Sequence, residues 1–325
     1  MKAVLCKELG TAEKLVVEEV PPLKPAKGQV VIGVKAAGVN FPDTLIIQGK
    51  YQFKPELPFS PGGEVAGVVK ELGEGVSSAK VGDRVIATTT WGGFAQEMVV
   101  DADRLIPMPG AMDYVSGSAF VLAYGTSYHA LVDRAQIKAG ETLLVLGASG
   151  GVGLAAVQIG KALGARVIAA ASSAEKLAVC KQAGADEGIN YATEDLRARV
   201  KAITGGRGVD VVYDPVGGAY SELALRDMAW NGRFLVVGFA AGEIPKIPLN
   251  LALLKGCSIV GVFWGAFTRT EAERNRGNNQ ELMRMFSAGK VKPHIHATYP
   301  LEQAAQALND VVQKKVSGKV VLTTE

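Results

Sequence analysis

Residues 143–165 read LLVLGASGGVGLAAVQIGKALGA: a short apolar run, a turn with glycines at 147, 150, 151 and 153, then an apolar helical pattern carrying Gly160 and Gly164. Strand, glycine turn and helix in that order aim backbone N–H groups and the positive end of a helix at one point, and the missing side chains let a pyrophosphate approach. Gly147, Ser149, Gly150, Gly151, Val152 and Gly153 are therefore the candidate contacts of a dinucleotide. The spacing is G-x-x-G-G-x-G rather than strict G-x-G-x-x-G, so a purely structural glycine turn is the competing reading.

Downstream, ARVIAAA (165–171) ends a second apolar run, and here an NAD-specific chain would carry Asp or Glu for the ribose hydroxyls. This chain has Ala171 followed by Ser172, Ser173 and Lys176, two hydroxyls and a cation that suit the 2′-phosphate of NADPH. Ser172-x-x-Glu175 also reads as a helix capping box, and the two roles are compatible. VDVVYD (209–214), RFLVVG (233–238) and CSIVGVFW (257–264) continue the apolar runs, with helical patterns at 152–163, 174–183 and 219–229. Short, uniformly apolar runs alternating with helices predict a doubly wound parallel sheet whose first strand starts near Glu141.

Upstream, from Lys2 to about Arg104, QVVIGVKAAGV, GEVAGVVKELG and DRVIATTTWGG are β-branched runs broken by Gly and Pro, the pattern of a compact β-rich domain. Beyond Trp264 comes the polar stretch FTRTEAERNRGNNQ, then a helix near 278–288, the extended HIHATYP, a helix near 301–314 and a last strand KVVLTT. If that strand rejoins the first domain, the division is 1–122 plus 267–325 around an inserted 123–266. The fold class expected is α/β, a β-rich domain plus a Rossmann domain.

Lys plus Arg number 35 against 32 Asp plus Glu, a net charge of +3, and no basic stripe stands out, so nucleic acid is not an expected partner. The amino-terminal MKAVLCKELG lacks a basic region followed by an apolar core, and no stretch holds 18 consecutive apolar residues. A cytoplasmic protein is expected, with no membrane partner. Cys6, Cys180 and Cys257 are too widely spaced for a metal cluster; His294 and His296 share one face of a strand pattern and His129 sits alone, so no metal site is expected.

Several stretches, in order, resemble the quinone oxidoreductase and zeta-crystallin branch of the medium-chain dehydrogenase/reductase superfamily. They are AAGVNFPDTLIIQGKY, PGGEVAGVV, VGDRV, AYGTSYHAL, the glycine segment, VDVVYDPVGG, RFLVVG and SGKVVL. The resemblance implies a GroES-like catalytic domain, a Rossmann domain binding NADPH, and a return of the carboxy-terminal segment to the first domain. It also implies a homodimer, with 257–262 as a plausible edge strand at the interface. Zinc-dependent relatives carry Cys where this chain has Asn40 and His where it has Gly63, and the cysteine-rich structural-zinc lobe is missing, so hydride transfer without a metal is expected. By similarity, Thr126 sits beside the nicotinamide, Tyr191 near the adenosine phosphate, the backbone around Gly238, Phe239 and Phe263 along the cofactor, and Lys319 approaches it. Tyr191 and Phe263 also read as core aromatics, and Lys319 as a solvated side chain.

Hydride delivery to a carbon conjugated with a carbonyl leaves charge on oxygen that needs a hydrogen-bond donor. Asn40 and Tyr51 are the candidates, with Asn40 equally readable as a helix cap and Tyr51 as a packed loop aromatic. Asp43, just after Pro42 at a helix start, reads first as structural and second as a substrate contact. Trp91 and Trp264 line an acceptor pocket or pack in the core. The expected reaction is NADPH-dependent reduction of a quinone or related enone. Two alternatives stay open: a 2-enoyl thioester reductase with Tyr51 as proton donor, since IQGKYQFKPELP also resembles that group, and a structural protein that binds NADPH without turnover.

Overall fold

The structure is a computed structural model and describes residues 1–324. The amino-terminal segment contributes β1 (Lys2–Leu5), β2 (Val16–Glu19), β3 (Gln29–Val39), β4 (Glu64–Leu72), β5 (Arg84–Thr88), β6 (Glu97–Asp101) and β7 (Ile106–Pro107). The middle contributes β8 (Thr142–Leu146), β9 (Arg166–Ala171), β10 (Glu187–Asn190), β11 (Val209–Asp214), β12 (Met228–Val236) and β13 (Ser258–Gly261), and the tail β14 (Ile295–Pro300) and β15 (Lys319–Thr323). Helices α1 (Phe41–Ile46), α2 (Tyr114–Ser118) and α3 (Val121–Tyr128) precede α4 (Gly151–Ala162), α5 (Ala174–Gln182), α6 (Leu196–Thr204) and α7 (Ala219–Arg226). They are followed by α8 (Asn250–Lys255), α9 (Trp264–Thr270), α10 (Ala272–Ser287) and α11 (Ala304–Val312).

The chain divides into two compact units, Met1–Leu122 with Pro293–Glu325, and Ala123–Lys292. In the first, the strands run in the order β14-β15-β3-β4-β5-β7, with β6 also paired to β3. β15 joins β3 antiparallel, Val320 opposite Val39, so the last strand lies against the segment that leads into Asn40. Val30, Ile32, Val34, Val65, Phe94 and Leu322 fill this core.

The second unit is the expected doubly wound sheet. Its order is β10-β9-β8-β11-β12-β13, and every neighbouring pair is parallel. All five residues of β8 are buried, as both faces are covered by helices. The order reverses beside β8, and this switch point is where such sheets bind ligands, beyond the carboxyl ends of the strands.

Three boundaries differ from the sequence reading. The helix expected over 219–229 stops at Arg226, because Met228 already starts β12. The polar stretch after Trp264 is helical, forming α9 and most of α10, whose inward face holds Asn279, Leu282 and Met285. Residues 267–292, assigned above to the catalytic domain, belong to the second unit. Phe267 is buried there with its ring stacked on His129, centroids 3.9 Å apart, and Arg274 pairs with Asp133 at 2.8 Å.

Candidate functional site

In the second unit, β8 leads into the glycine turn and α4. Gly147 takes φ +58°, and a Cβ there would lie 2.7 Å from Val216 Cγ2. A Cβ on Gly153 would lie 2.4 Å from the Gly147 carbonyl oxygen, so only glycine lets the helix start this close to the turn. The helix cap is Gly150, which has no side chain to offer, and the first i→i−4 bond is donated by Leu154 to Gly150. The N–H groups of Gly151, Val152 and Gly153 therefore precede the helical ladder at the positive end of the dipole. Backbone donors at a helix start, flanked by glycines, have the chemistry that suits a pyrophosphate.

Ser127 and Tyr213 hold the cradle from behind. The Ser127 hydroxyl donates to the Val152 carbonyl at 2.8 Å and shares a 2.8 Å hydrogen bond with the Tyr213 phenol, and both residues are fully buried. Burial pushes the Tyr213 phenol well above its ordinary pKa, so it remains a neutral hydrogen-bonding group. Sequence reading missed this brace, although Ser127 lies in AYGTSYHAL and Tyr213 in VDVVYD. Beside it, Asp214 accepts from the N–H groups of Val216 and Gly217 at 2.8 and 2.9 Å, fixing the turn after β11. Thr126 is half-buried on α3, while Phe239 and Phe263 are 36% and 48% exposed, against the core-aromatic reading of Phe263. Gly238 donates to the Asp214 carbonyl at 3.3 Å, and Trp264 packs on Gly125.

At the end of β9 the structure brings Ser172, Ser173, Lys176 and Tyr191 together. Lys176 Nζ donates to Ser172 Oγ at 3.3 Å, and the Tyr191 phenol is hydrogen-bonded to Ser172. The cap of α5 is Ser173, which accepts from the Lys176 N–H, and not Ser172 as the capping-box reading had it. That shift of one residue leaves the Ser172 hydroxyl outside the cap, where its partners are Lys176 and Tyr191. Tyr191 also packs on Tyr220, ring centroids 4.5 Å apart. Ala171 is buried, so no carboxylate stands where a 2′-hydroxyl would be read.

In the first unit, Asn40, Asp43, Glu64 and Lys319 form a buried polar quartet, exposed by 6, 2, 0 and 5%. Asn40 caps α1, and its backbone N–H donates to Asp43 Oδ2 at 2.7 Å. Its side-chain Nδ2 donates to Gly38 O at 3.2 Å and to Glu64 Oε2 at 3.3 Å. Glu64 Oε1 accepts the Leu122 N–H at 2.8 Å. The Lys319 ammonium donates to Val39 O at 3.1 Å and to Asn40 Oδ1, and stands 3.7 Å from Glu64 Oε2. The solvated reading of Lys319 does not hold: its ammonium is buried inside this unit, with two hydrogen bonds and an ion pair. Both amide hydrogens of Asn40 are likewise taken, so donation to a substrate oxygen requires one of these bonds to be exchanged.

Burial dominates the electrostatics of the quartet. It drives the Asp43 carboxyl up to about 7 despite the N–H bonds from Asn40 and Gly63 and the Lys319 charge. It also raises Glu64 and lowers Lys319, each partly offset by the other. The structural reading of Asp43 thus has its two backbone partners, one of them Gly63. Tyr51 is half-buried in the loop after α1, its ring tilted against Phe53 at 5.9 Å, and Trp91 is 41% exposed in another loop of this unit. Among the described residues, no group of three or more His, Cys, Asp and Glu is placed to hold a metal ion.

A family model described as alcohol dehydrogenase GroES-like domain matches residues 26–110, and one described as zinc-binding dehydrogenase matches 151–279. A quinone oxidoreductase-like protein 2 homolog of Nematostella vectensis is 40% identical over 328 residues, spanning 100% of this chain and 89% of the relative. Among solved structures, an oxidoreductase from Mycobacterium abscessus superposes with a TM-score of 0.90 at 40% identity, covering 99% of both chains. The Escherichia coli quinone oxidoreductase complexed with NADPH gives 0.93 at 32% identity, covering 99% of this chain and 100% of that one.

Proposed function

Because the chain belongs to the quinone oxidoreductase family of the medium-chain dehydrogenases and reductases, we propose that it reduces a quinone or related conjugated carbonyl with NADPH, by hydride transfer without zinc. The observation that carries the cofactor choice is the Ser172, Lys176 and Tyr191 cluster at the end of β9, where a carboxylate for NADH is replaced by donors and a cation. Bound NADPH supplies the hydride. The turn at Gly147–Gly153 takes the pyrophosphate, Ser172, Ser173 and Lys176 the 2′-phosphate, and Tyr191 the adenosine side. Thr126, Gly238, Phe239 and Phe263 flank the rest of the cofactor.

The metal-free reading is supported by residue type: an amide at Asn40 and no side chain at Gly63 replace the Cys and His of zinc relatives. The oxygen of the reduced carbonyl then needs a protein donor. Tyr51 supplies it with a phenol, and Asn40 supplies it on exchange of the Gly38 or Glu64 bond, while Asp43 and Lys319 hold Asn40 in place. A homodimer is supported by the free edge of β13 and the apolar side chains of Trp230, Leu249, Leu253 and Leu254, which are 67–78% exposed. We place the protein in the cytoplasm.

The test is turnover of benzoquinones, naphthoquinones, enones and crotonyl thioester with NADPH and with NADH. Quinone reduction preferring NADPH is expected. Faster reduction of crotonyl thioester, abolished by Tyr51→Phe, would replace the substrate reading with the enoyl reductase one. Tight NADPH binding with no turnover of any acceptor would overturn both.

A further inference from the structure

A second polar cavity lies in the nucleotide-binding unit, apart from the glycine turn and the Ser172 cluster. It encloses about 210 Å³ and is lined by His129, Asp133, Arg134, Phe263, Phe267 and Arg274, with Glu271 at its edge. That is roughly the space of seven liquid waters, too small for a dinucleotide.

His129 and Asp133 face each other across one turn of a single-turn π-helix, a distortion of the backbone that recurs at functional sites. Their side chains are 6% and 4% exposed, and His129 Nδ1 lies 2.7 Å from Asp133 Oδ2. Asp133 is saturated: Asn278 donates to the same oxygen at 2.8 Å and Arg274 pairs with the other at 2.8 Å. Burial opposes its charge, but these bonds outweigh burial and hold the carboxyl below the usual range, so the Nδ1 proton points at a carboxylate. The remaining ring nitrogen, Nε2, has no protein partner among the described residues, on a side chain more than nine-tenths buried at the cavity wall. The stacked Phe267 ring fixes the plane of the imidazole.

Arg134 also lines the cavity. Its Nε is anchored on the Gly261 carbonyl at 3.0 Å, and the terminal nitrogens of the guanidinium have no protein partner among the described residues. The two carboxylates of the cavity, Asp133 and Glu271, both pair with Arg274, and Arg134 is the lining guanidinium with no carboxylate partner among the described residues. A planar fork with two open donors, lining the same cavity as a ring that donates from Nε2 when protonated, matches an oxyanion.

We infer that the cavity between Arg134 and His129 binds a small oxyanion, the carboxylate or phosphate group of a ligand other than the dinucleotide. Arg134 takes two oxygens of the group, and His129 supplies the third contact from Nε2–H as the imidazolium, with Nδ1–H kept on Asp133, so the anion binds together with a proton on the ring. Phe263 is shared with the candidate cofactor contacts, so the inference rests on the proposed cofactor placement, with the two sites adjoining at this residue.

The experiment titrates sodium acetate and, separately, inorganic phosphate into NADPH-saturated protein at constant ionic strength set with chloride. The imidazole NMR signals are read, and with three histidines in the chain they are assigned by substitution. A saturable shift of the His129 signals with a dissociation constant on the order of millimolar is expected. Arg134→Gln, on the exposed side of the site, should weaken it about tenfold at unchanged melting temperature. Acetate binding alone assigns a carboxylate, phosphate alone a phosphate, and both a general oxyanion site. A shift that does not saturate, that chloride reproduces, or that Arg134→Gln leaves unchanged would overturn the inference. A shift present in cofactor-free protein titrated in parallel but absent in the NADPH-saturated protein would also overturn it, by assigning the anion to the cofactor's own phosphate sites.

Discussion

In the first unit, the polar groups around Asn40 are matched to one another by side-chain bonds inside a buried core. In the second, the cradle at Gly151, Val152 and Gly153 is built from backbone and leaves its N–H groups to an incoming ligand. One site is rigid because every donor is used, the other receptive because donors are left over. Damage should therefore act differently: deleting one side chain strands a charge in the first unit, whereas adding one methyl group blocks the second.

Lys319→Met tests this most severely. It leaves Glu64 buried without its cation and should cost about 3–5 kcal/mol in denaturant unfolding of the first unit. The double variant with Glu64→Gln should recover part of that loss; a cost near zero for Lys319→Met alone would mean the quartet is not coupled. Next comes Gly153→Ala, whose Cβ meets the Gly147 carbonyl at 2.4 Å. NADPH affinity by fluorescence titration should fall about a hundredfold, ~2.7 kcal/mol, with NADH falling equally, since the defect is in the shared pyrophosphate cradle.

Lys176→Ala should instead discriminate, weakening NADPH about tenfold, ~1.4 kcal/mol, and leaving NADH almost unchanged. Equal losses for the two cofactors would remove the phosphate role from this lysine. A slope tests the same quartet from its pH dependence. Asp43 has a folded pKa of about 7 against 3.8 unfolded, so the unfolded chain gives up this proton first and stability declines as pH rises from about 4 to about 7. Below that window both states hold the proton; above it the carboxylate is charged in both. Asp43→Asn should flatten this part of the stability profile measured by urea titration, while Glu64 and Lys319 continue to contribute their own changes.

Local order explains what was readable. The buried β8, the glycine turn and α4 are contiguous, so their periodicity and glycine spacing carried the Rossmann reading without tertiary information. α10 was only partly legible because its inward face has few apolar anchors and its surface is held by i,i+3 pairs such as Glu271–Arg274 and Glu281–Arg284, which look like loop polarity in one dimension. Lys319 was misjudged for another reason. A lysine at the start of a strand is ordinarily exposed, and the partners that bury this one, Asn40 and Glu64, lie some 250 to 280 positions away. His129 seemed alone because Asp133 is one helical turn on, and Phe267 and Arg274, which complete its surroundings, come from the stretch read as merely polar.

The return of β15 to β3 also sets a timetable for biosynthesis. Val39 leaves the ribosome 280 residues before the lysine whose ammonium it accepts, an interval of roughly tens of seconds at ordinary elongation rates. Throughout it, the whole second unit is made and free to fold, while the nascent first sheet waits with the β15 side of β3 unpaired and the Glu64 carboxylate lacking its counter-ion. The newborn chain thus offers a chaperone or a protease a window that the finished protein closes with its final strand.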